Sequence, residues 1–141
     1  MDNAAELIKL RGLPEYVTHT SYFLLKSELE KHGNELSKAH KHALLGLCYA
    51  MTALATGEHK GRVVYPLAAG LGKTTAIKCW IKTVSDLEGC ELSAAVSAFK
   101  VEQLCELKRE LIELGVPEEK IGLVHSKKDA SEPSEGHRAE R

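Results

Sequence analysis

The stretch VVYPLAAGLGKTTAIKCW, residues 63–80, constrains the possible folds of the chain most. It joins a short apolar run, a glycine turn and a helical pattern. Its centre, LAAGLGKT, contains the second glycine, the lysine and the threonine of the phosphate-loop pattern G-x-x-x-x-G-K-[ST]. Leu67 stands where that pattern has its first glycine, and Gly70 is an additional glycine. The spacing also differs from the G-x-G-x-x-G of dinucleotide-binding folds, which argues against a nicotinamide enzyme.

The residue types in this turn suit a phosphate group. Backbone N–H groups of residues 70–75 can converge on phosphate oxygens, and glycine permits close approach and unusual dihedral angles. A helix that begins near Lys73 adds free amides and the positive end of its dipole. Lys73 would neutralise the terminal phosphates of ATP, and Thr74 would offer its hydroxyl to Mg²⁺. The predicted phosphate-binding residues are Ala69, Gly70, Leu71, Gly72, Lys73, Thr74 and Thr75. The alternative is a glycine turn before an ordinary helix.

The segments around this turn alternate between strand and helix patterns. Short apolar runs at residues 62–67, 92–99 and 120–126 are typical of buried strands. Residues 73–87 and 101–115 have the i, i+3, i+4 apolar spacing of amphipathic helices. Strands that alternate with helices predict an α/β fold with a partial parallel sheet of about three strands and right-handed crossover helices.

The N-terminal part of the chain is predicted to be helical. Residues 18–34 and 36–57 carry apolar positions at helical spacing, and Gly33 and Gly57 are placed to end the two helices. The last residues are polar and lack apolar periodicity. The predicted organisation is a helical lead-in, a partial sheet domain and a disordered polar tail: 1–59, 60–127 and 128–141.

Composition narrows the class of protein. The 141 residues are 43% hydrophobic, enough for a globular core, and a net charge of −1 produces no global field for nucleic acid or anionic lipid. The four cysteines form no C-x-x-C pair, which argues against zinc and favours reduced thiols, with Cys48, Cys79 and Cys105 buried. No signal peptide or membrane-length apolar run is evident, so a soluble cytoplasmic protein is expected.

The segment PLAAGLGKTTAI, residues 66–77, resembles motif I of the superfamily 1 and 2 (DEAD/DEAH-type) helicases, A-x-x-G-x-G-K-T. Four positions match its glycines, lysine and threonine: Gly70, Gly72, Lys73 and Thr74. Leu67 replaces the small first residue of the motif, and Ala69 replaces a threonine common in one branch. The resemblance covers residues 60–127 and implies a RecA-like P-loop NTPase truncated before its Walker B motif. The implied partners are nucleic acid and the missing remainder of the motor, without a membrane.

Residues 94–111 look similar to the strand and helix that carry motif Ia, which contacts the nucleic-acid backbone in that family. The resemblance implies that Ser97, Phe99 and Lys100 contact DNA or RNA. The alternative is a strand end followed by a helix cap. His40 and His42 flank a lysine at a predicted helix start, and both are assigned to the surface.

ATP hydrolysis requires an acidic residue at the end of an apolar strand to hold Mg²⁺. No acidic residue fits: Asp86 lies in a helical pattern, Asp129 lies in the polar tail, and Glu91 precedes its strand. No catalytic residue is therefore assigned, and whether the chain is an enzyme stays open. The leading hypothesis is an ATP-binding segment of a helicase-like ATPase that does not hydrolyse ATP alone.

Two other functions fit the sequence. A small self-contained phosphate-loop kinase or ATPase has a comparable length, although it also needs an acidic Mg²⁺ ligand. A non-enzymatic module is the second alternative, in which the helices of residues 20–56 bind a partner protein and the loop is vestigial.

Overall fold

A computed structural model describes residues 6, 8, 9, 12–67, 70–98 and 100–124. Their elements, in chain order, are α1 (Leu13–Lys31), α2 (Lys38–Thr56), α3 (Lys73–Ser85), α4 (Val101–Leu114) and a 3-10 turn (Glu118–Lys120). The chain divides into two compact units, residues 1–94 with α1–α3 and residues 95–141 with α4 and the 3-10 turn. The polar tail predicted for residues 128–141 lies outside the described residues.

The predicted α/β fold is wrong. The described residues contain no β-strand, and apart from Lys120, which ends the 3-10 turn, the parts of the three apolar runs that fall among them form irregular backbone. A strand is stabilised by hydrogen bonds and side-chain contacts with a neighbouring strand, and these runs have no such neighbour in the described structure. Val64 is 88% exposed, whereas a central strand of a parallel sheet would bury it. The RecA-like sheet and its crossovers are therefore not the architecture of this part of the chain.

The run before the glycine turn bends where a strand would continue. The Leu67 N–H donates to the Tyr65 carbonyl at 2.8 Å, which closes a three-residue turn around Pro66. Pro66 has no N–H to give to a sheet, and its ring fixes φ. Composition favours a strand here, but the proline turn carries the chain towards the N-terminus of α3.

Helix α1 packs against both α2 and α3, and α2 also contacts α3. Helix α1 begins at Leu13, five residues before the predicted start at Thr18. Pro14 lies in its first turn, where a proline is compatible with helical structure. The core of the unit is a cluster of buried side chains from the three helices: Leu25, Leu44, Leu47, Cys48, Ala76 and Cys79. In the described part of the chain, none of the helices is both long and apolar enough to cross a bilayer.

Trp80 forms a second cluster with Val17 and Val84. Its indole Nε1–H donates to Thr52 Oγ1 at 2.9 Å, and this bond is buried. The Thr52 hydroxyl in turn donates to the Cys48 carbonyl at 3.0 Å. The only tryptophan in the chain is thus both packed and hydrogen-bonded, as buried indoles usually are.

The predicted burial of thiols is confirmed for two cysteines. Cys48 and Cys79 are free and buried. The prediction is wrong for Cys105, which is only partly buried, as is Cys90. Burial raises the pKa of the Cys79 thiol to about 12, and burial also raises the pKa of Cys48. Both buried thiols therefore stay protonated at neutral pH and act as small apolar side chains.

The described part of the second unit contains α4 and the short 3-10 turn. Helix α4 ends at Leu114, and Gly115, with φ of 111°, follows it in the left-handed conformation. The Val116 N–H donates to the Leu111 carbonyl at 3.0 Å and completes this end of the helix. The amphipathic helix predicted for residues 101–115 is confirmed, although one of its apolar side chains, Ile112, is 40% exposed.

Candidate phosphate-binding site

Helix α3 begins directly after the glycine turn. Gly72 is its N-cap, with φ of 104° in the left-handed region, and its carbonyl accepts the Ala76 N–H at 2.8 Å. The first four N–H groups of a helix have no partner within the helix. Gly72 has no side chain that caps them, and the first turn of α3 contains no acidic residue. This helix start therefore has the positive end of the dipole, and its own first turn supplies no carboxylate to neutralise it.

The predicted site residues lie on this turn, except Ala69, which is outside the described residues. Lys73 and Thr74 are the first two residues of α3 and are exposed, while Thr75 is half-buried. Gly70 has φ of 81°, and no heavy atom lies within 4 Å of where its Cβ would stand. The side chains of Lys73 and Thr74 thus place an ammonium group and a hydroxyl at the exposed start of this helix.

The turn is fixed from the opposite side by α2. His40 Nε2 lies 2.8 Å from the Leu71 carbonyl oxygen, and the bond is partly buried. Because a carbonyl only accepts, Nε2 carries the proton and donates. His40 belongs to the first turn of α2, where its own N–H donates to Ser37 Oγ at 3.1 Å. The surface prediction is confirmed for His42, which is exposed, and is wrong for His40, which is half-buried and bonded to the loop.

Gly72 lies against the core of the unit. A Cβ at this position would come 3.1 Å from Leu29 Cδ1 and 3.7 Å from Leu44 Cδ2. The distance to Leu29 is shorter than ordinary van der Waals contact, so a side chain here would displace the leucine. The second glycine of the motif is therefore required by its left-handed φ and by its close approach to α1.

Substitution of Gly72 by alanine is expected to lower the free energy of unfolding by about 1–3 kcal/mol. The cost combines the left-handed φ with the close contact to Leu29. Gly33→Ala is the matched control, because Gly33 has φ of 86° and nothing within 4 Å of its added Cβ. Urea unfolding of both variants measures the difference. An equal loss in the two variants would show that Leu29 moves aside freely.

Tyr65 connects the approach to the turn with α2. Its hydroxyl donates to the Ala43 carbonyl at 2.7 Å. The ring end lies directly over Gly46, where an added Cβ would overlap the hydroxyl oxygen. Gly46 thus gives helix α2 a notch for the tyrosine, and both ends of the glycine turn are attached to the first half of α2.

The described residues do not form a Mg²⁺ site by themselves. No group of three or more His, Cys, Asp or Glu side chains could hold a metal ion in the part of the chain that the structure describes. Thr74 contributes one exposed hydroxyl, and no carboxylate lies in the same turn. Asp86 follows the other end of the 13-residue helix α3, about 20 Å away at ~1.5 Å per residue. It is paired there with Lys82 at 3.0 Å.

The predicted nucleic-acid contacts lie in the second unit. Ser97 and Lys100 are exposed, and Phe99 is outside the described residues. Lys100 precedes α4, and its backbone N–H donates to Gln103 Oε1 at 3.3 Å. Lys100 is therefore at a helix start, as the cap alternative expects, and its contact with nucleic acid stays a prediction.

The fold implied by the resemblance to superfamily 1 and 2 helicases is wrong, because the described residues contain no sheet. No protein family, curated protein or solved structure is significantly similar to this chain.

Proposed function

We propose that residues 70–75 bind the phosphate chain of a nucleoside triphosphate, ATP being the first candidate. The observation that carries the proposal is the open start of α3, where the exposed Lys73 and Thr74 follow a left-handed glycine cap. The protein would act as an ATP-binding helical module, without the parallel sheet of a P-loop NTPase.

Three interactions support binding at this position. N–H groups of the first turn, which have no partner within the helix, would donate to phosphate oxygens, and the helix dipole favours the negative charge. The Lys73 ammonium group adds a charge-assisted hydrogen bond, which is about twice as strong as a neutral one. The Thr74 hydroxyl supplies a further donor. Because neither Gly70 nor Gly72 carries a side chain, a phosphate can approach the backbone closely.

We expect binding without hydrolysis. Mg²⁺ would arrive with the nucleotide, coordinated by phosphate oxygens and water, since the described residues place no carboxylate in the first turn of α3. An attacking water would also need a residue to position it, and neither Asp86 nor Glu91 lies at this helix start. A cytoplasmic location suits the buried free thiols of the core.

Lys73→Ala is expected to weaken ATP binding by about tenfold to a hundredfold, the equivalent of one charge-assisted hydrogen bond of about 1.5–3 kcal/mol. Isothermal titration of the full chain with Mg-ATP and with inorganic tripolyphosphate measures this loss. Both ligands should be affected alike, because the predicted contacts are with phosphate.

Lys60→Ala is the matched control, since Lys60 is exposed and lies outside the turn. It should bind ATP as the wild type does. Equal affinity of wild type and Lys73→Ala, or no binding by the wild type, would overturn the proposal. Phosphate release that is abolished by Lys73→Ala would instead contradict the absence of hydrolysis.

A non-enzymatic interaction module is the second candidate. Two large aromatic side chains, Phe23 on α1 and Tyr49 on α2, are 64% and 53% exposed. Such side chains are enriched at protein interfaces. If the wild type does not bind triphosphate while Phe23→Ala and Tyr49→Ala lose a partner protein, this second function holds. A role with nucleic acid through Ser97 and Lys100, or with the remainder of a helicase motor, stays a prediction.

A further inference from the structure

We infer that His40 is a positioning residue that sets the orientation of the peptide bond between Leu71 and Gly72. The hydrogen bond from His40 Nε2 to the Leu71 carbonyl, at 2.8 Å, joins residues 31 positions apart and connects the first turn of α2 to the turn that precedes α3. Its effect on the loop follows from backbone geometry, and its effect on ligand binding rests on the function proposed above.

The Leu71 carbonyl and the Gly72 N–H belong to one planar peptide unit. This peptide is trans, so the two groups point in opposite directions. When His40 holds the carbonyl towards α2, the Gly72 N–H is directed away from α2. The imidazole thereby fixes the direction of an amide in the predicted phosphate-binding turn without contacting the ligand.

Glycine at position 72 makes a second orientation accessible. A half-turn of the peptide changes mainly ψ of Leu71 and φ of Gly72, and Gly72 has φ of 104° in the observed state. After the half-turn its φ would be negative, which glycine adopts equally well. The Leu71 carbonyl would then point in the opposite direction, where it would repel an anion. The bond to His40 selects between these two orientations.

The donor is available in both charge states of the ring. A neutral imidazole with its proton on Nε2 donates to the carbonyl, and so does the imidazolium ion. The partly buried position of this bond limits competition from water. Since the His40 N–H bond to Ser37 Oγ is made by the backbone, replacing the side chain leaves this cap of α2 intact.

The test compares His40→Ala with His42→Ala and His40→Gln. His42 is exposed and lies on the same helix, and glutamine keeps an N–H donor of similar reach. NMR of the full chain reports the Leu71 carbonyl chemical shift and the relaxation dispersion of Gly72 and Lys73. Titration with inorganic tripolyphosphate reports binding, and thermal unfolding by circular dichroism reports global folding.

In His40→Ala we expect the Leu71 carbonyl shift to lose its hydrogen-bonded value and Gly72 to show exchange between two states. Triphosphate binding should weaken by about twofold to tenfold, the range of one neutral hydrogen bond. His42→Ala should match the wild type, and His40→Gln should recover most of both signals.

Unchanged Leu71 and Gly72 signals in His40→Ala would overturn the inference, whatever the binding result. Perturbation in His40→Ala without recovery in His40→Gln would also overturn it, because a donor alone should suffice. If the wild type does not bind triphosphate, the proposed function fails, and the NMR signals still decide whether His40 orients the peptide.

Discussion

Replacement of Trp80 by alanine is expected to lower the free energy of unfolding by about 3–5 kcal/mol. The side chain is 3% exposed and packs with Val17 and Val84. The substitution leaves a large cavity between α1 and α3. It also eliminates the hydrogen bond that the indole N–H donates to Thr52 Oγ1. Urea unfolding followed by far-ultraviolet circular dichroism is the suitable measurement, because Trp80 is the only tryptophan and its fluorescence is lost with it.

Two further variants separate packing from hydrogen bonding. Thr52→Val keeps the shape of the side chain but leaves the buried indole N–H without its acceptor, at a cost of about 1–3 kcal/mol. Trp80→Phe retains part of the ring volume and should fall between wild type and Trp80→Ala. A loss below about 1 kcal/mol in Trp80→Ala would contradict the packing of this cluster.

Replacement of Leu44 by alanine is expected to cost about 2–5 kcal/mol. Leu44 is fully buried in the first core cluster, together with Leu25 and Cys79. It also lies beneath the cap of α3, with Cδ2 3.7 Å from the position that a Cβ on Gly72 would occupy. The cavity therefore opens under the predicted phosphate-binding turn. Urea unfolding monitored by tryptophan fluorescence measures the loss, since Trp80 is retained.

Leu54→Ala is the control for Leu44→Ala, because Leu54 is on the same helix but 37% exposed. It should cost less than Leu44→Ala, since 37% of the Leu54 surface is already exposed to water, whereas Leu44 is fully buried. Leu44→Val removes less volume and should show a smaller loss than Leu44→Ala. Similar losses at positions 44 and 54 would contradict the assigned face of α2.

The long periodic segments predicted their helices well. Helix α2 lies within the predicted residues 36–57, begins after the cap residue Ser37 and ends before Gly57, which has φ of 83°. Its apolar positions Leu44 and Leu47 are buried, as the spacing indicates. These features are local, because capping and the helical period depend on residues within a few positions of each other.

The strand predictions for the short apolar runs are wrong because a strand is stable only when a neighbouring strand pairs with it. Residues 62–67 have the β-branched and aromatic composition of a strand, yet Val63 and Val64 are exposed and Pro66 bends the chain. Composition alone cannot report whether a second segment will supply hydrogen bonds along the backbone. The same limit applies to residues 92–98, most of which are exposed in the structure.

For the candidate site, the sequence predicted a helix start near Lys73 and unusual dihedral angles at Gly70 and Gly72, and the structure shows both glycines with positive φ. It missed the contacts of His40, which lies on α2, and of Tyr65, which precedes the turn, and the hydrogen bonds of both residues attach the turn to α2. Both contacts join residues more than 20 positions apart, and neither has a pattern that spacing could reveal. The glycine turn could be predicted because it depends on adjacent residues. Its hydrogen bonds to α2 could not, because they depend on how the helices pack.

Because the Tyr65 hydroxyl packs directly against Gly46, the side chains allowed at positions 46 and 65 depend on each other. A methyl group on helix α2 at position 46 and a tyrosine hydroxyl above it would occupy the same space. Alanine at 46, although favourable for a helix by about 0.5–1 kcal/mol, would push the phenol away from the Ala43 carbonyl. In a combinatorial library, larger residues at 46 would therefore be compatible mainly with shorter residues at 65, and the two positions would vary together.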